Sequence, residues 1–416
     1  MPRIARTAST GIGIAVVLAL GLTACGSSGG DDVAADKKQT LTVWAMGAEG
    51  EKLADVAKVY EKANPNVTVK VTPVGWDVAH QKLVSAAAAG SMPDVAQMGG
   101  SYMGEFSELG VLEPVDTKTF QEKDFFPAGW KQGEVDGQAY GVPWYVDTRV
   151  LYYRTDLAEK AGITKAPTNW KEMQDLATAY QKKAGTKWGL SIQPSGLDTV
   201  QNFYSFLYSA GGEIVNDKGD VVIDSPAAVK ALKEYGSYFS KGLSNKSVQP
   251  GYDVVKDFGN GRVPMFFGGP WHVTLLNEGQ PQLKGKWAVA NVPTDKSSVS
   301  MAGGSSLVIS KDSEHKAAAT QFIKYLTDTK GQADWYKRTK DLPANTAAWA
   351  SGALANDADL QIFKKQLDTA KSSPSLSNWT EVTDKVDQAI AKVTQGKASA
   401  EDALKTAQSQ IEGLVK

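Results

Sequence analysis

Residues 140–154 read Tyr-Gly-Val-Pro-Trp-Tyr-Val-Asp-Thr-Arg-Val-Leu-Tyr-Tyr-Arg. Pro143 blocks a helix, Val142, Val146, Val150 and Leu151 favour extended backbone, and Gly141 and the Asp147-Thr148 pair interrupt the run. The stretch is too long and too polar in its middle for one ordinary buried strand. One reading makes it a crossover, in which the chain leaves one lobe, shows Trp144, Tyr145 and Asp147 to a cleft, and enters a second lobe at Val150. The other is an edge strand with a bulge.

Upstream of it the pattern alternates strand and helix. Leu41 to Trp44 alternates like a strand, and Leu53, Val56, Ala57 and Tyr60 mark one face of a helix ending at Asn64-Pro65. Val67 to Val71 alternates again, Asp77 can cap a helix carrying Leu83, Ala86 and Ala87, and Pro93 to Met98 reads as a short buried strand. This is an α/β layout, in which ligands sit at the carboxyl ends of strands. Trp44 to Gly47 and Met98 to Tyr102 fall there.

At the amino end, Arg3 and Arg6 precede the apolar run Gly11 to Leu22, the proportions of an export signal that is too short to span a bilayer. Leu22-Thr23-Ala24-Cys25 resembles the bacterial lipoprotein signal, which implies cleavage after residue 24 and acylation of Cys25. Cys25 is the only cysteine, so neither a disulfide framework nor a thiol nucleophile is expected. Two or three acyl chains anchor stably where one is marginal. Gly26 to Gln39, rich in Gly, Ser, Asp and Lys, reads as a flexible tether reaching on the order of 20 Å.

Removing Arg3 and Arg6 with the signal leaves 43 of the 45 basic residues against 46 acidic ones, about −3, which gives no basic footprint for nucleic acid. The roughly 390 residues that follow exceed what one core organises, so two lobes are expected.

Downstream of the crossover, Asp156 to Gly162 and Asn169 to Lys183 are helical in pattern, and a strand follows around Trp188 to Ile192. Leu197 to Ala210 is a helix, Glu213 to Asp224 a hairpin about Asp217-Lys218-Gly219, and Pro226 to Lys241 an amphipathic helix. The Asn216 to Asp220 run lacks the downstream glutamate of a calcium loop. Pro264 to Val273 then runs an apolar strand into Gly268-Gly269-Pro270, a bend that presents Trp271 at the start of a helix. That indole either offers an apolar face to a ligand or closes a core.

Here a family resemblance becomes specific. Gly269-Pro270-Trp271 after an apolar strand resembles the turn that presents a sugar-stacking tryptophan in the maltodextrin-binding class of extracellular solute-binding proteins. In the same order, Asp94-Val95 with Gly99 to Phe106 is similar to the first-lobe ligand loop of that class, and Tyr140 to Tyr153 to its first crossover. Met301 to Ser310 is similar to its return crossover, Leu342 to Asn345 to its third linker, and Trp379 to Val386 with Gly396 to Leu404 to its closing helices. The likeness covers residues 40–416.

The resemblance implies a two-lobed α/β periplasmic-binding-protein-like fold of type II. Residues 40–145 with 302–340 would form the first lobe and 146–301 with 341–416 the second, joined near 144–148, 300–304 and 340–345. It implies stacking by Trp271 and Trp379 and a carboxylate at Asp147. Weaker candidates are Trp44, Glu49, Gln97, Ser101, Tyr102, Tyr204 and Gly303. Local sequence adds Trp76, in the loop before Asp77, and Arg149, which either contacts ligand or locks Asp147. A pyranose has an apolar face for an aromatic ring and hydroxyls for carboxylates and amides. Met98, Ser101 and Tyr102 stand where the maltodextrin pattern has tryptophan, aspartate and arginine, and Ala48-Glu49 replaces an acid–lysine pair, which puts maltodextrin itself in doubt.

The implied protein is a monomeric, lipid-anchored receptor on the extracytoplasmic face of the cell membrane, handing a sugar to the permease and cytoplasmic ATPase of an ABC importer. No cofactor or metal is implied. His80, His272 and His315 are widely separated and read as surface or cap residues, which leaves metal hydrolysis and a Ser-His-Asp triad unsupported. A glycosidase would need only two of the 46 acids. A polyamine receptor would need several carboxylates in the cleft.

Overall fold

The structure, a computed structural model, describes residues 37–196, 199–248 and 252–415. The export segment 1–24, Cys25, the tether up to residue 36, and Leu197 and Asp198 of the expected 197–210 helix lie outside the described residues. Among the described residues no helix is long and apolar enough to cross a membrane.

The strands are β1 (Gln39–Met46), β2 (Val67–Val74), β3 (Val95–Gly99), β4 (Glu134–Val135), β5 (Gln138–Ala139), β6 (Gly141–Thr148), β7 (Val150–Arg154), β8 (Met265–Gly268), β9 (Trp287–Ala290), β10 (Ala302–Ile309) and β11 (Leu342–Pro343). Six of them form one sheet in the order β11-β6-β10-β3-β1-β2. β1 pairs in parallel with β2 and β3, because the helices Gly47–Ala63 and Trp76–Ala88 carry the chain back between them. β10 returns antiparallel between β3 and β6. A smaller sheet, β8-β7-β9, is antiparallel throughout.

Arg149 is the single residue between β6, in the larger sheet, and β7, in the smaller one. The 140–154 stretch is therefore a crossover and not a bulged edge strand. The chain comes back to the larger sheet between β9 and β10 and adds β11 beside β6 before its last helices.

Apolar burial follows this division. Leu41 and Val43 of β1 pack with Phe322 and Trp335 on one face of the larger sheet, while Met98, Met103 and Phe106 fill the other. Phe203, Phe206, Leu232, Tyr235, Val386, Ile390 and Leu404 build a helical core from Thr199–Ser209, Pro226–Ser240, Trp379–Thr394 and Ala400–Glu412. The first of these cores also continues through Tyr152 and Phe266 of the smaller sheet and Phe258 of the helix Val254–Gly259, so packed side chains run beneath the crossover.

Some local expectations fail for identifiable reasons. Gly75, not Asp77, caps the helix Trp76–Ala88, with Asp77 in its first turn. Trp188 to Ile192 is no strand; its amides bond to loop carbonyls of Arg262 and Leu243, and Ser191 alone bridges to Phe266. Glu213 to Asp224 closes as a hairpin-like turn with one bridge, Val215 to Val221, and Asn216 accepts from the amides of Lys218 and Asp220. His315 is a helix cap as expected. His272 is not a surface residue; it packs edge-on against Tyr152 and Phe266.

The helix Met103–Glu108 meets the segment that precedes Trp379. A Cβ added to Gly104 would lie 2.4 Å from the Ser375 carbonyl oxygen and 2.6 Å from the Leu376 carbonyl carbon. Backbone cannot yield as a side chain can, so Gly104→Val is expected to hold these segments apart. Small-angle scattering should show a larger radius of gyration, with ligand affinity down roughly tenfold. An unchanged radius and affinity would show that the contact is dispensable.

Candidate functional site

Two cavities meet at the crossover. One, of about 710 Å³, is bounded by Ser101, Tyr102 and Gly303 on the larger-sheet side and by Tyr204, Trp379 and Asp387 on the helical side. The other, of about 400 Å³, is bounded by Glu49, Tyr145, Trp271 and Asp341. Trp76 and Asp147 line both. They therefore form one cleft of two compartments.

Trp271 is 41% exposed at the first position of the helix Trp271–Gly279. Gly269 is required beside it, because a Cβ there would fall 2.1 Å from the indole ring. Arg149 stacks its guanidinium 4.6 Å from the ring centroid, leaving the remaining indole surface for the cleft. The same guanidinium donates to Asp147 Oδ1 at 2.7 Å and to Gln201 Oε1 at 2.5 Å. Arg149 thus orients Asp147, braces Trp271 and also lines the larger compartment.

Gly303 sits opposite Asp147 in the β6–β10 register, and a Cβ on it would lie 2.5 Å from Asp147 Oδ1. The glycine makes room for the carboxylate. Trp379 begins the helix Trp379–Thr394 and is 4% exposed, so it offers an edge and not an open face. Tyr204 is buried, stacked on Tyr208 at 5.0 Å, and its hydroxyl lies beside Ser373 and Trp379 without forming a hydrogen bond of normal geometry. Ser101 and Trp76 are exposed, and Tyr102 packs 4.9 Å from His80.

Three sequence candidates do not reach the cleft surface. Trp144 is fully buried against Trp335, with ring centroids 4.5 Å apart. Neighbours in a strand point to opposite faces, so Tyr145 and Asp147 face the cleft only if Trp144 faces the core. Gln97 is fully buried; its Oε1 accepts from the Met46 amide at 2.7 Å and its Nε2 donates to the Tyr145 hydroxyl at 3.2 Å. It positions Tyr145 from behind. Trp44 lies under Lys82, 5.2 Å from its ring, and borders neither compartment.

Other lining residues were not singled out from the sequence. Thr380, Thr383, Asp384 and Asp387 face the larger compartment from one stripe of the helix, a polar i, i+3, i+4, i+7 spacing that was there to read. Asp387 accepts from the Gly196 amide at 3.1 Å. Asp341 precedes β11 and accepts from Trp335 Nε1 at 3.0 Å.

Charge in the cleft is unbalanced. Glu49, Asp147, Asp341, Asp384 and Asp387 line it with Arg149 and Lys340, the latter with its ammonium near the Tyr336 ring. Burial first, then the Glu49 charge, pushes Asp341 up to about 7. Burial likewise raises Glu49, although Tyr145 and Trp76 hydrogen-bond to it. Burial, reinforced by Arg149, pushes His272 down to about 4, so that ring is neutral.

Asp341 binds its proton more tightly in the folded chain than at the ordinary value of 3.8. The folded form therefore loses stability as pH rises from about 4 to about 7, and the loss is complete above that. Asp341→Asn keeps the acceptor for Trp335 and is expected to add roughly 2 to 4 kcal/mol near pH 8 and little near pH 4. Urea melts at the two pH values would show it; equal effects at both would contradict it.

Among the described residues no cluster of His, Cys, Asp and Glu could hold a metal ion. The family model described as bacterial extracellular solute-binding protein matches residues 44–333. The maltodextrin-binding protein MdxE of Bacillus subtilis is 27% identical over 96% of this chain and 95% of its own. The sugar-binding protein MalE from Xanthomonas citri superposes with a TM-score of 0.85 at 32% identity, over 91% of this chain and 97% of its own. The GacH receptor of Streptomyces glaucescens, described unliganded and with acarbose, gives 0.78 at 26% identity over 90% and 98%. With its backbone crossing between two sheets beside an aromatic and acidic cleft, this chain belongs to the bacterial extracellular solute-binding proteins and has their two-lobed type II fold.

Proposed function

We propose that this chain is the lipid-anchored receptor of an ABC-type sugar importer, capturing a di- or oligosaccharide between its lobes and handing it to the permease. The observation that carries this reading is the cleft itself, where Trp76, Tyr102, Trp271 and the Trp379 edge surround carboxylates at the crossover. Aromatic faces suit the C–H faces of pyranoses, and carboxylates and amides suit their hydroxyls. The relatives that bear sugar-binding names support the same ligand class.

Residues 40–145 with 302–340 act as one lobe and 146–301 with 341–416 as the other. Ligand touching both favours a closed hinge state, because only that state makes all the contacts. The permease reads that state. Cys25 carries the acyl anchor and residues 26–39 the tether, so Cys25→Ala would release the protein from the membrane fraction. The protein works as a monomer, without catalysis.

Five carboxylates against Arg149 and Lys340 also favour a second reading, a polyamine ligand. Calorimetry against mono- to tetrasaccharides, polyamines and amino acids separates the two, with chromatography of the recovered ligand. Saturable binding of one glycosidic family without product is expected. Binding of polyamines alone, or release of a smaller sugar, would overturn the sugar-receptor reading.

A further inference from the structure

We propose that Asp341 is a specificity-determining residue of the Trp271 compartment, binding the sugar as a neutral acid that donates its proton to a ligand oxygen. The inference rests on the sugar-binding reading and adds a residue and a pH dependence to it.

Several donors of the compartment are already engaged, while the Trp271 indole N–H, the Thr274 hydroxyl and Lys340 also border it. The Tyr145 hydroxyl and Trp76 indole N–H are directed to Glu49, and the Thr339 hydroxyl donates to the Trp335 carbonyl at 3.0 Å. Glu49 and Asp147 only accept when ionised, and Asp147 is already held by Arg149. A pyranose ring oxygen and glycosidic oxygen can accept but not donate. A third ionised carboxylate would add one more acceptor beside them, whereas a neutral one supplies a donor on the Glu49 side of the compartment.

The surroundings of Asp341 act in both directions: burial and the Glu49 charge favour the proton, while the hydrogen bonds with Thr339 and Trp335 favour the ionised form. Oδ2 accepts from Trp335 Nε1, the backbone amide donates to Thr339 Oγ1 at 3.1 Å, and the residue lines the compartment. Facing it are Glu49 from the helix Gly47–Ala63 and Tyr145 and Asp147 from β6. The helix Trp271–Gly279 contributes Trp271, Thr274 and a neutral His272 nearby. Arg149 is spent on Asp147, Gln201 and Trp271, and Lys340 places its ammonium 5.3 Å from the Tyr336 ring. Two carboxylates therefore act on Asp341, with Lys340 the lysine that also borders the compartment, and burial and Glu49 raise it to about 7. A carboxyl kept neutral by its site is a strong hydrogen-bond donor. Because Asp341 leads into β11, which pairs with β6 at Val146, the same bond ties the sugar to a crossover.

Infrared difference spectra of the ligand-free protein against Asp341→Asn test the protonation directly. A protonated-carboxyl band assigned to Asp341 is expected near pH 6 and should vanish with a midpoint near 7. Glu49→Gln should lower that midpoint. Affinity for the sugar found by the calorimetric panel should fall roughly tenfold from about pH 6 to about pH 8.5, while Asp341→Asn, which donates through its amide, should bind with little pH dependence. Absence of the band near pH 6, or an unchanged pH dependence in Asp341→Asn, overturns the inference. If no sugar in the panel binds, the sugar-receptor reading fails while the spectra still report on Asp341. If a sugar binds equally at both pH values, that reading stands and the inference falls.

Discussion

Trp271→Ala is expected to weaken capture of the saccharide by roughly thirtyfold, about 2 kcal/mol, with little loss of stability. Trp271 is unusual among the large apolar side chains in being 41% exposed yet held from below by a guanidinium 4.6 Å away. Its removal takes away an aromatic platform whose conformational cost is already met by Arg149 and the Gly269 turn. The variant should unfold at nearly the same denaturant concentration as the parent, since little buried packing is lost. Affinity within a factor of two of the parent would place the ligand elsewhere.

The second large effect concerns Arg149. Arg149→Ala leaves Asp147 partly buried beside Glu49 and Asp341 without its cation, and removes the brace under Trp271. Breaking a largely buried ion pair from one side costs about 3 kcal/mol, because the surviving charge is stranded. The loss should appear in both denaturant melts and sugar titrations. In the double variant with Asp147→Asn, stability should largely return while affinity stays low. Failure of that partial rescue would mean that Arg149 acts on its own and not through Asp147.

Much of this architecture was legible because local signals agreed. Asn64-Pro65 stops the first helix, the alternation of β1 sets its buried face, and Gly269-Pro270-Trp271 puts an indole where a helix begins. The 140–154 stretch was open to two readings, since a change of sheet at one residue leaves the same extended pattern as a bulge; only the partners of β6 and β7 separate them. Trp144 and Gln97 were misplaced because neighbourhood in sequence is not neighbourhood on a face. Period-two geometry sends Trp144 into the core, and Gln97 is consumed by hydrogen bonds to Met46, Tyr145 and Ser305. Asp341 could not be found from sequence at all: its altered acidity comes first from burial in the fold and then from Glu49, nearly three hundred residues away in the chain. The stripe Thr380 to Asp387 was readable, but a polar helix stripe ordinarily means a solvated face.

The central claim is that one ligand touches both lobes at once. Hydrogen exchange of the full chain, with and without a saturating concentration of the sugar selected by calorimetry, tests it most directly. The account predicts that amides of residues 99–102 and of residues 380–387 become protected together, along with the crossover at 147–149. Protection confined to one of these segments, or appearing only outside the cleft, would contradict it.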